Sequence, residues 1–309
     1  DLVILDELHK LKKWKNWIKG VYDTEGVRPR LLVTGSARLD AYRKSGDSLA
    51  GRFYSYRLHP FSVAELKGQM QADKALDHIL RFGGFPEPLL KGSESQAKRW
   101  RRSHADRILH EDLRDIASVR DLRGIETLVE LLRRSVGSTI SYDSLARDLQ
   151  VSAHTVKHWI SMLESLYILF VVTPYSRNVA RSLLKAPKVY FYDTGFLQDD
   201  PGARFENLVA CALAKRLHFL EDTKGEKCAL HYIRDKEKRE VDFLMIREGT
   251  PEFLIETKVS QPDIAHLKHF KIFLGKAKPV LLLKDIKREL HLEGVQIKKA
   301  GSWLQALES

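Results

Sequence analysis

Apolar residues open this chain as two short unbroken runs, recur at helical spacing through its middle, and adopt both patterns toward its end. Leu2-Val3-Ile4-Leu5 and Leu31-Leu32-Val33 predict strands buried on both faces, the first ending in Asp6-Glu7 and the second in Thr34-Gly35-Ser36. From Leu66 to Asp115 the period is helical, broken by a turn at Gly83-Gly84-Phe85-Pro86. Further helices are predicted over Ile125–Arg134, Ser144–Leu149 and Ala153–Tyr167, the last N-capped by Ser152 with Val156, Leu163 and Leu166 at core spacing. A strand at Ile168–Val172 follows, so this stretch predicts a helix-turn-helix with a wing. Tyr175–Lys188 is polar and basic, as a linker is, and Lys188–Tyr192 predicts a strand closing on Asp193-Thr194-Gly195.

The end of the chain alternates helix and strand. Phe205, Leu208, Val209, Ala212, Leu213 and Leu217 define one face of a helix with Glu206 near its start. Val241–Ile246, a turn at Arg247–Thr250, and a second run carrying Glu256 and Lys258 predict a hairpin, and Pro279–Lys284 a later strand. Four units are expected: a partial α/β core over 1–65, a helical lid over 66–115, a winged helix-turn-helix over 116–175 and an α/β domain over 176–309. The fold class is α/β and multi-domain.

Composition narrows the partners. Lys and Arg total 52 against 41 Asp and Glu, a formal charge of +11, which suits a polyanion such as nucleic acid. The two cysteines, Cys211 and Cys228, have no metal-binding spacing, so zinc is not implied and a reduced, cytoplasmic setting is expected. No run of about 18 apolar residues suggests a membrane span.

The chemistry concentrates in Glu240–Lys258. Side chains alternate along a strand, so Glu256 and Lys258 share a face, and a hairpin centred near Gly249 sets Asp242 opposite Glu256. Two carboxylates within reach of one cation suit magnesium, which keeps water and substrate phosphate in its shell, and a neighbouring lysine orients a water and offsets phosphodiester charge. Glu206, Asp242, Glu256 and Lys258 in this order resemble the PD-(D/E)xK nucleases: a helix glutamate, an aspartate on a strand, then E-x-K on the next strand. The resemblance implies a restriction-endonuclease-like domain with magnesium or manganese held by Glu206, Asp242 and Glu256, and Lys258 as a catalytic lysine. The alternative reading is a charged strand edge. Asp193 is either a further acid of this site or a turn cap.

At the start of the chain, an apolar strand ending in Asp6-Glu7 has the form of a Walker B element, in which the aspartate supports magnesium and the glutamate polarises the attacking water. With the T-G-S at Thr34–Ser36, the L-x-G-R ending at Arg52 and the P-x-S-x-x-E segment at Pro60–Glu65, the chain resembles AAA-type ATPases of bacteria and archaea that carry a C-terminal domain of unknown function with a nuclease-like fold. The resemblance implies ATP with magnesium as cofactor, Asp6 and Glu7 as Walker B, Glu7 as a catalytic residue, Thr34 or Ser36 as first sensor, Arg52 as an arginine contact, and a ring or dimer. No G-x-x-x-x-G-K-[ST] precedes Asp6; Gly46–Arg52 has glycine spacing but lacks the lysine and hydroxyl and follows Walker B, so it is no phosphate cradle. The expectation is a chain truncated at its N-terminus.

Two basic features remain. His154, Lys157 and His158 fall on the outer face of the second helix-turn-helix helix, where they are candidate DNA contacts. Lys98–Arg102 reads as a solvated helix face with Trp100 turned inward, the alternative being a phosphate contact. The leading expectation is an AAA-type ATPase whose winged helix engages DNA and whose C-terminal domain hydrolyses phosphodiesters. Its alternative is an ATP-switched module that binds protein or DNA through an inactive nuclease-like domain, and a third option is a transcriptional regulator acting through the winged helix alone.

Overall fold

The computed structural model describes residues 2–8, 11, 13–25, 30–35, 52–107, 121–176, 186–197 and 200–307. At its start, β1 (Leu2–Leu5) and β2 (Arg30–Val33) pair in parallel, with α1 (Trp14–Glu25) lying between them in sequence. The burial expected of these strands is not found: Leu2, Val3, Ile4 and Leu32 are exposed. Parallel strands gain their cover from helices on both faces, and among the described residues β1 and β2 form a sheet of two with no interior. Ser36, and all of the glycine segment before Arg52, lie outside the described residues.

The helical stretch comprises α2 (Ala72–Phe82), α3 (Pro86–Lys91) and α4 (Glu94–Arg107). The break falls where expected. Gly83 takes φ 84, and the Gly84 N–H donates to Asp193 Oδ1 at 2.9 Å, so Asp193 braces this turn from inside the core. On α4 the Trp100 ring stacks on His104 at 4.4 Å while Lys98, Arg99 and Arg102 face solvent, matching the solvated-face reading.

Three helices follow: α5 (Leu122–Arg134), α6 (Tyr142–Leu149) and α7 (Ala153–Ser165). Each begins at a side-chain cap: Asp121 accepts from Gly124 N–H, Ser141 from Ser144 N–H and Ser152 from Thr155 N–H. Gln150 ends α6 in the left-handed region, φ 56, and turns the chain into α7. Val156, Leu163 and Leu166 are buried as their spacing requires.

The strand after α7 belongs to a larger sheet. β3 (Leu169–Pro174) pairs antiparallel with β4 (Lys188–Phe191) and parallel with β5 (Cys228–Arg234), so it is built into the large sheet. Leu169 and Val172 are buried against the main core, and Thr139, before α6, bridges Lys188 of β4 in antiparallel sense. The expected boundary at 175/176 therefore separates strands of one sheet.

That sheet has eight strands in the order β4-β3-β5-β6-β7-β8-β10-β9, with β6 (Glu240–Arg247), β7 (Thr250–Lys258), β8 (Lys278–Leu283), β9 (Leu290–Leu292) and β10 (Val295–Lys299). The β6–β7 turn is tight, with Glu248 at φ 49 and Gly249 at φ 71, the two positive angles that a two-residue hairpin loop demands. α8 (Pro201–Lys224), 24 residues long, packs Phe205, Leu208, Val209 and Leu213 against Phe243, Met245 and Ile255. α9 (Ala265–Phe273) covers the other face through Leu267 and Phe270, against Leu244, Leu254 and Leu281. The closing helix α10 (Ala300–Gln305) packs on α2, and Lys284 pairs with Asp77 at 3.0 Å.

A strap ties the start of the chain to α8. Arg57 bonds Asp222 and Glu221, at 2.6 and 2.7 Å, His59 Nε2 meets His218 Nδ1 at 2.9 Å, and Lys215 reaches the Pro60 carbonyl at 3.0 Å and the Glu65 carboxylate. Among the described residues, no helix is long and apolar enough to cross a membrane.

Candidate functional site

α8 starts with Asp200 accepting from the Gly202 and Ala203 N–H groups and Pro201 in its first turn, which fixes Glu206 in the second turn. The next residue, Asn207, is fully buried: its Oδ1 accepts from Phe191 N–H and its Nδ2 donates to the Phe191 carbonyl, both at 2.8 Å. This fork locks α8 to β4. On β4, Lys188 and Tyr190 are two residues apart and both turn toward Glu206. Tyr190 Oη donates to Glu206 Oε1 at 2.6 Å, and Lys188 Nζ lies 3.2 Å from the same oxygen.

Asp242 reaches the same place through an irregularity. His231 pairs with Leu244 and Ile233 with Val241, so Asp242 and Phe243 together oppose Tyr232. Such a bulge adds a residue to one strand and re-aims its side chain. Phe243 stays in the core beneath α8 while Val241 joins the core under α9, and Asp242 comes within 3.7 Å of Lys188. Extending the Phe243–Ile255 pairing by one step sets Asp242 across from Glu256, the register read from the sequence. Thr257 then holds Asp242 Oδ2 through its N–H at 2.8 Å and its hydroxyl at 2.7 Å.

All four residues of the C-terminal motif come together. Lys258 Nζ sits 2.9 Å from Glu256 Oε1, and Lys258 is exposed where Glu256 is 5% exposed. Glu256 Oε2 is buried with no hydrogen-bond partner among the described residues. Burial, with the Asp242 charge next, pushes the Glu256 carboxyl up to about 8 and the Glu206 carboxyl up to about 7. Burial opposes charge on Lys258, but the bond to Glu256 and the charges of Glu256, Asp242 and Glu206 together outweigh it and hold the ammonium above its ordinary value.

Sequence reasoning missed the cationic half of this cluster. Lys188 is 1% exposed and contacts Glu240 at 2.7 Å as well as Glu206 and Asp242. Burial works against its charge, yet Glu206, Asp242 and Glu240 raise it above the ordinary lysine value. The spacing of Lys188 and Tyr190 on a predicted strand was the available signal. Gly137, in the turn after α5, was also missed: it takes φ 78, and a Cβ there would stand 2.8 Å from Glu206 Oε2. Among the described residues no three His, Cys, Asp or Glu side chains converge as metal ligands do. What the cluster offers a cation is the two-carboxylate edge of Asp242 and Glu256 with its unpartnered oxygen. That donor set fits magnesium or manganese, which take one or two carboxylates and complete their shells elsewhere.

At the other end of the chain, Asp6 lies exposed at the carboxyl end of β1, and the Thr34 hydroxyl donates to its Oδ1 at 2.5 Å. Glu7 follows with φ 53. Arg52 pairs with Asp23 of α1 at 3.2 Å and lies over the Tyr22 ring. His154, Lys157 and His158 are exposed along α7, with Lys157 over the Tyr142 ring at 5.1 Å.

Comparison with known proteins divides the chain in three. Residues 1–67 match the family described as AAA domain, 73–199 match Domain of unknown function (DUF8612), and 201–300 match Domain of unknown function (DUF4143). An uncharacterized protein of Mycobacterium tuberculosis is 24% identical over 278 residues, 85% of this chain and 60% of the relative. One from Methanocaldococcus jannaschii is 24% identical over 271 residues, 80% of this chain and 59% of the relative, and one from Haemophilus influenzae is 20% identical over 326 residues, 97% and 76%. The chain thus spans about 60% of the length of the Mycobacterium relative. No solved structure matches significantly. The start of the chain is thus similar to AAA domains, and its end to a domain of unknown function.

Proposed function

We propose that in the whole protein an AAA-type ATPase controls a DNA-directed module whose C-terminal domain hydrolyses phosphodiesters with a divalent cation. One observation carries this reading: a helix and two strands bring Glu206, Asp242, Glu256 and Lys258 into one cluster, with a buried, unpartnered carboxylate oxygen on Glu256. Asp242 and Glu256 would hold magnesium or manganese, with Glu206 supporting them. When bound, the ion supplies Lewis-acid polarisation of the phosphate and a more acidic water. Thr257 fixes the Asp242 carboxylate, and Lys258, exposed beside Glu256, orients the attacking water and offsets charge on the phosphodiester. His154, Lys157 and His158 on the outer face of α7 would meet DNA phosphates. Asp6, hydrogen-bonded to Thr34 at the adjacent strand end, would support the magnesium of ATP, with Glu7 polarising water, Thr34 or Ser36 as first sensor and Arg52 as an arginine contact.

The test is nicking of supercoiled DNA by this chain in manganese, beside folded Asp242→Asn and Glu256→Gln. Metal-dependent nicking lost in both variants is expected. Nicking that survives in both, or its absence from the parent chain, would sink the hydrolytic reading. A second reading has its own observation: the Lys188 ammonium already stands among three carboxylates. In that reading the C-terminal domain is an ATP-switched binding module with a charge-neutralised, inactive site, and DNA is bound but not cut.

A further inference from the structure

The hydrolysis proposed above needs an acceptor for the proton that the attacking water gives up, and the four motif residues are committed elsewhere. Asp242 accepts from Thr257, Glu206 accepts from Tyr190, and Glu256 pairs with Lys258 through one oxygen while its other belongs to the edge offered to the ion. Lys258 is an ammonium and has no lone pair to give.

An imidazole stands at the same end of the sheet. Glu240 begins β6 and Lys258 ends its antiparallel neighbour β7, so the two share one end of the hairpin. Leu254 packs beneath α9, and Glu256 and Lys258 follow it at intervals of two, on the face of β7 that α9 covers. The first turn of α9 carries His266, half-buried, with Nδ1 2.9 Å from the Glu240 carbonyl oxygen. A carbonyl oxygen only accepts, so Nδ1 carries the proton and Nε2 is left as an acceptor. The helix is pinned around this ring: Leu267 is fully buried, His269 Nε2 meets Asp235 at 3.3 Å, Lys268 pairs with Glu293, and Asp263 accepts from Ala265 N–H at 3.0 Å.

We infer that His266 is the general base for the water that attacks at the Asp242–Glu256 edge. This rests on the hydrolytic reading of that edge and adds to it the acceptor it lacks. Water gives a proton to Nε2 as its oxygen forms the new bond to phosphorus. The bond from phosphorus to the leaving sugar oxygen breaks, that oxygen takes a proton from solvent, and the imidazolium releases its own to solvent. The Glu240 carbonyl holds the tautomer that can accept and stabilises the imidazolium once formed. Lys258 keeps its role of orienting the water.

The experiment is single-turnover nicking of supercoiled DNA in saturating manganese by the whole chain, for the parent, His266→Ala and His266→Asn, with DNA affinity measured separately in calcium. Both variants should nick at least ~100-fold more slowly while binding DNA within about twofold of the parent. Asparagine can still donate to the Glu240 carbonyl, so a purely structural role for His266 predicts near-parental nicking by His266→Asn. Added imidazole should restore His266→Ala by about tenfold or more, and pyrazole, a ring of the same size and far lower basicity, should not. Near-parental nicking by His266→Asn, a loss of DNA affinity that parallels the loss of rate, or equal effects of the two rings overturns the inference and leaves the hydrolytic reading standing. A parent chain that nicks no DNA removes both. Should His266→Ala fail to fold, His266→Asn decides alone: slow nicking at unchanged affinity supports the inference, and a parental rate overturns it.

Discussion

Two aspartates in this protein accept a hydrogen bond from a threonine hydroxyl on the neighbouring strand. Asp6 takes it from Thr34 and Asp242 from Thr257. The local chemistry is the same and the surroundings are opposite. Among the described residues Asp6 follows a strand of a two-stranded sheet and is exposed, while Asp242 is buried in a sheet of eight beneath a helix. At Asp242 the protein itself must stabilise charge, and it recruits Lys188, Lys258 and Tyr190, leaving Glu206 and Glu256 with carboxyls pushed up to about 7 and about 8. A carboxylate on a strand end is therefore inexpensive to expose and demanding to bury, and the demand shows up as conspicuous partners.

The comparison is tested most severely at Lys188. Without metal, Lys188→Met should lose about 3–5 kcal/mol in a urea melt, because it leaves buried carboxylates without their cation. A loss under about 1 kcal/mol would mean that water reaches the cluster and that the contrast with Asp6 is one of degree.

The joint between the two regions responds to pH. Burial, then His218, Lys215 and Arg57, push the His59 ring down to about 3; burial and Arg57 push His218 down to about 4. Both folded values lie below the ordinary 6.5, so protons bind the unfolded rings first. The pair's contribution is complete above pH 6.5 and declines as pH falls toward about 4 and then about 3. At pH 5 the loss is at most about 2 kcal/mol per ring. Melting temperature against pH checks it: the parent should decline below pH 6.5 more steeply than the double variant His59→Gln, His218→Gln.

Gly137→Ala should cost about 1–3 kcal/mol, since its φ is 78 and the new methyl would press on Glu206 Oε2. A neutral result in the same melt would show that the Glu206 side chain has room to withdraw. Thr34→Val should have the smallest effect, under about 0.5 kcal/mol, as for other exposed positions. A larger loss would show that the exposed pair carries structural weight.

Much of the buried site was legible because its signals are local. Glu206 lies on a helix with a clear apolar period, and Asp242, Glu256 and Lys258 lie on one hairpin whose turn residues declare themselves. Lys188 and Tyr190 were not legible, because their partners are set by β4 meeting α8 and β6, and strand spacing alone does not name a partner. The bulge at Asp242 is likewise invisible in a pattern of apolar residues. The reach of the sheet was hidden for a related reason: Leu169–Pro174 has the composition of any half-buried strand, and only the pairing with β4 and β5 shows that the sheet continues through it. For β1 and β2 the pattern described a strand's preference for cover, which the described residues around them do not supply.

Asn207 has one more consequence, for how copies of this chain meet. β4 lies at the end of the eight-stranded sheet, and its outer edge is partly taken by Thr139, which bridges Lys188 in antiparallel sense, and by Ile140, whose N–H donates to the Pro187 carbonyl at 2.8 Å. By taking both the N–H and the carbonyl of Phe191, Asn207 denies those groups to an incoming chain. The residue that aligns Glu206 is therefore one of several that occupy this border of the sheet, where an open edge would template a strand from another molecule.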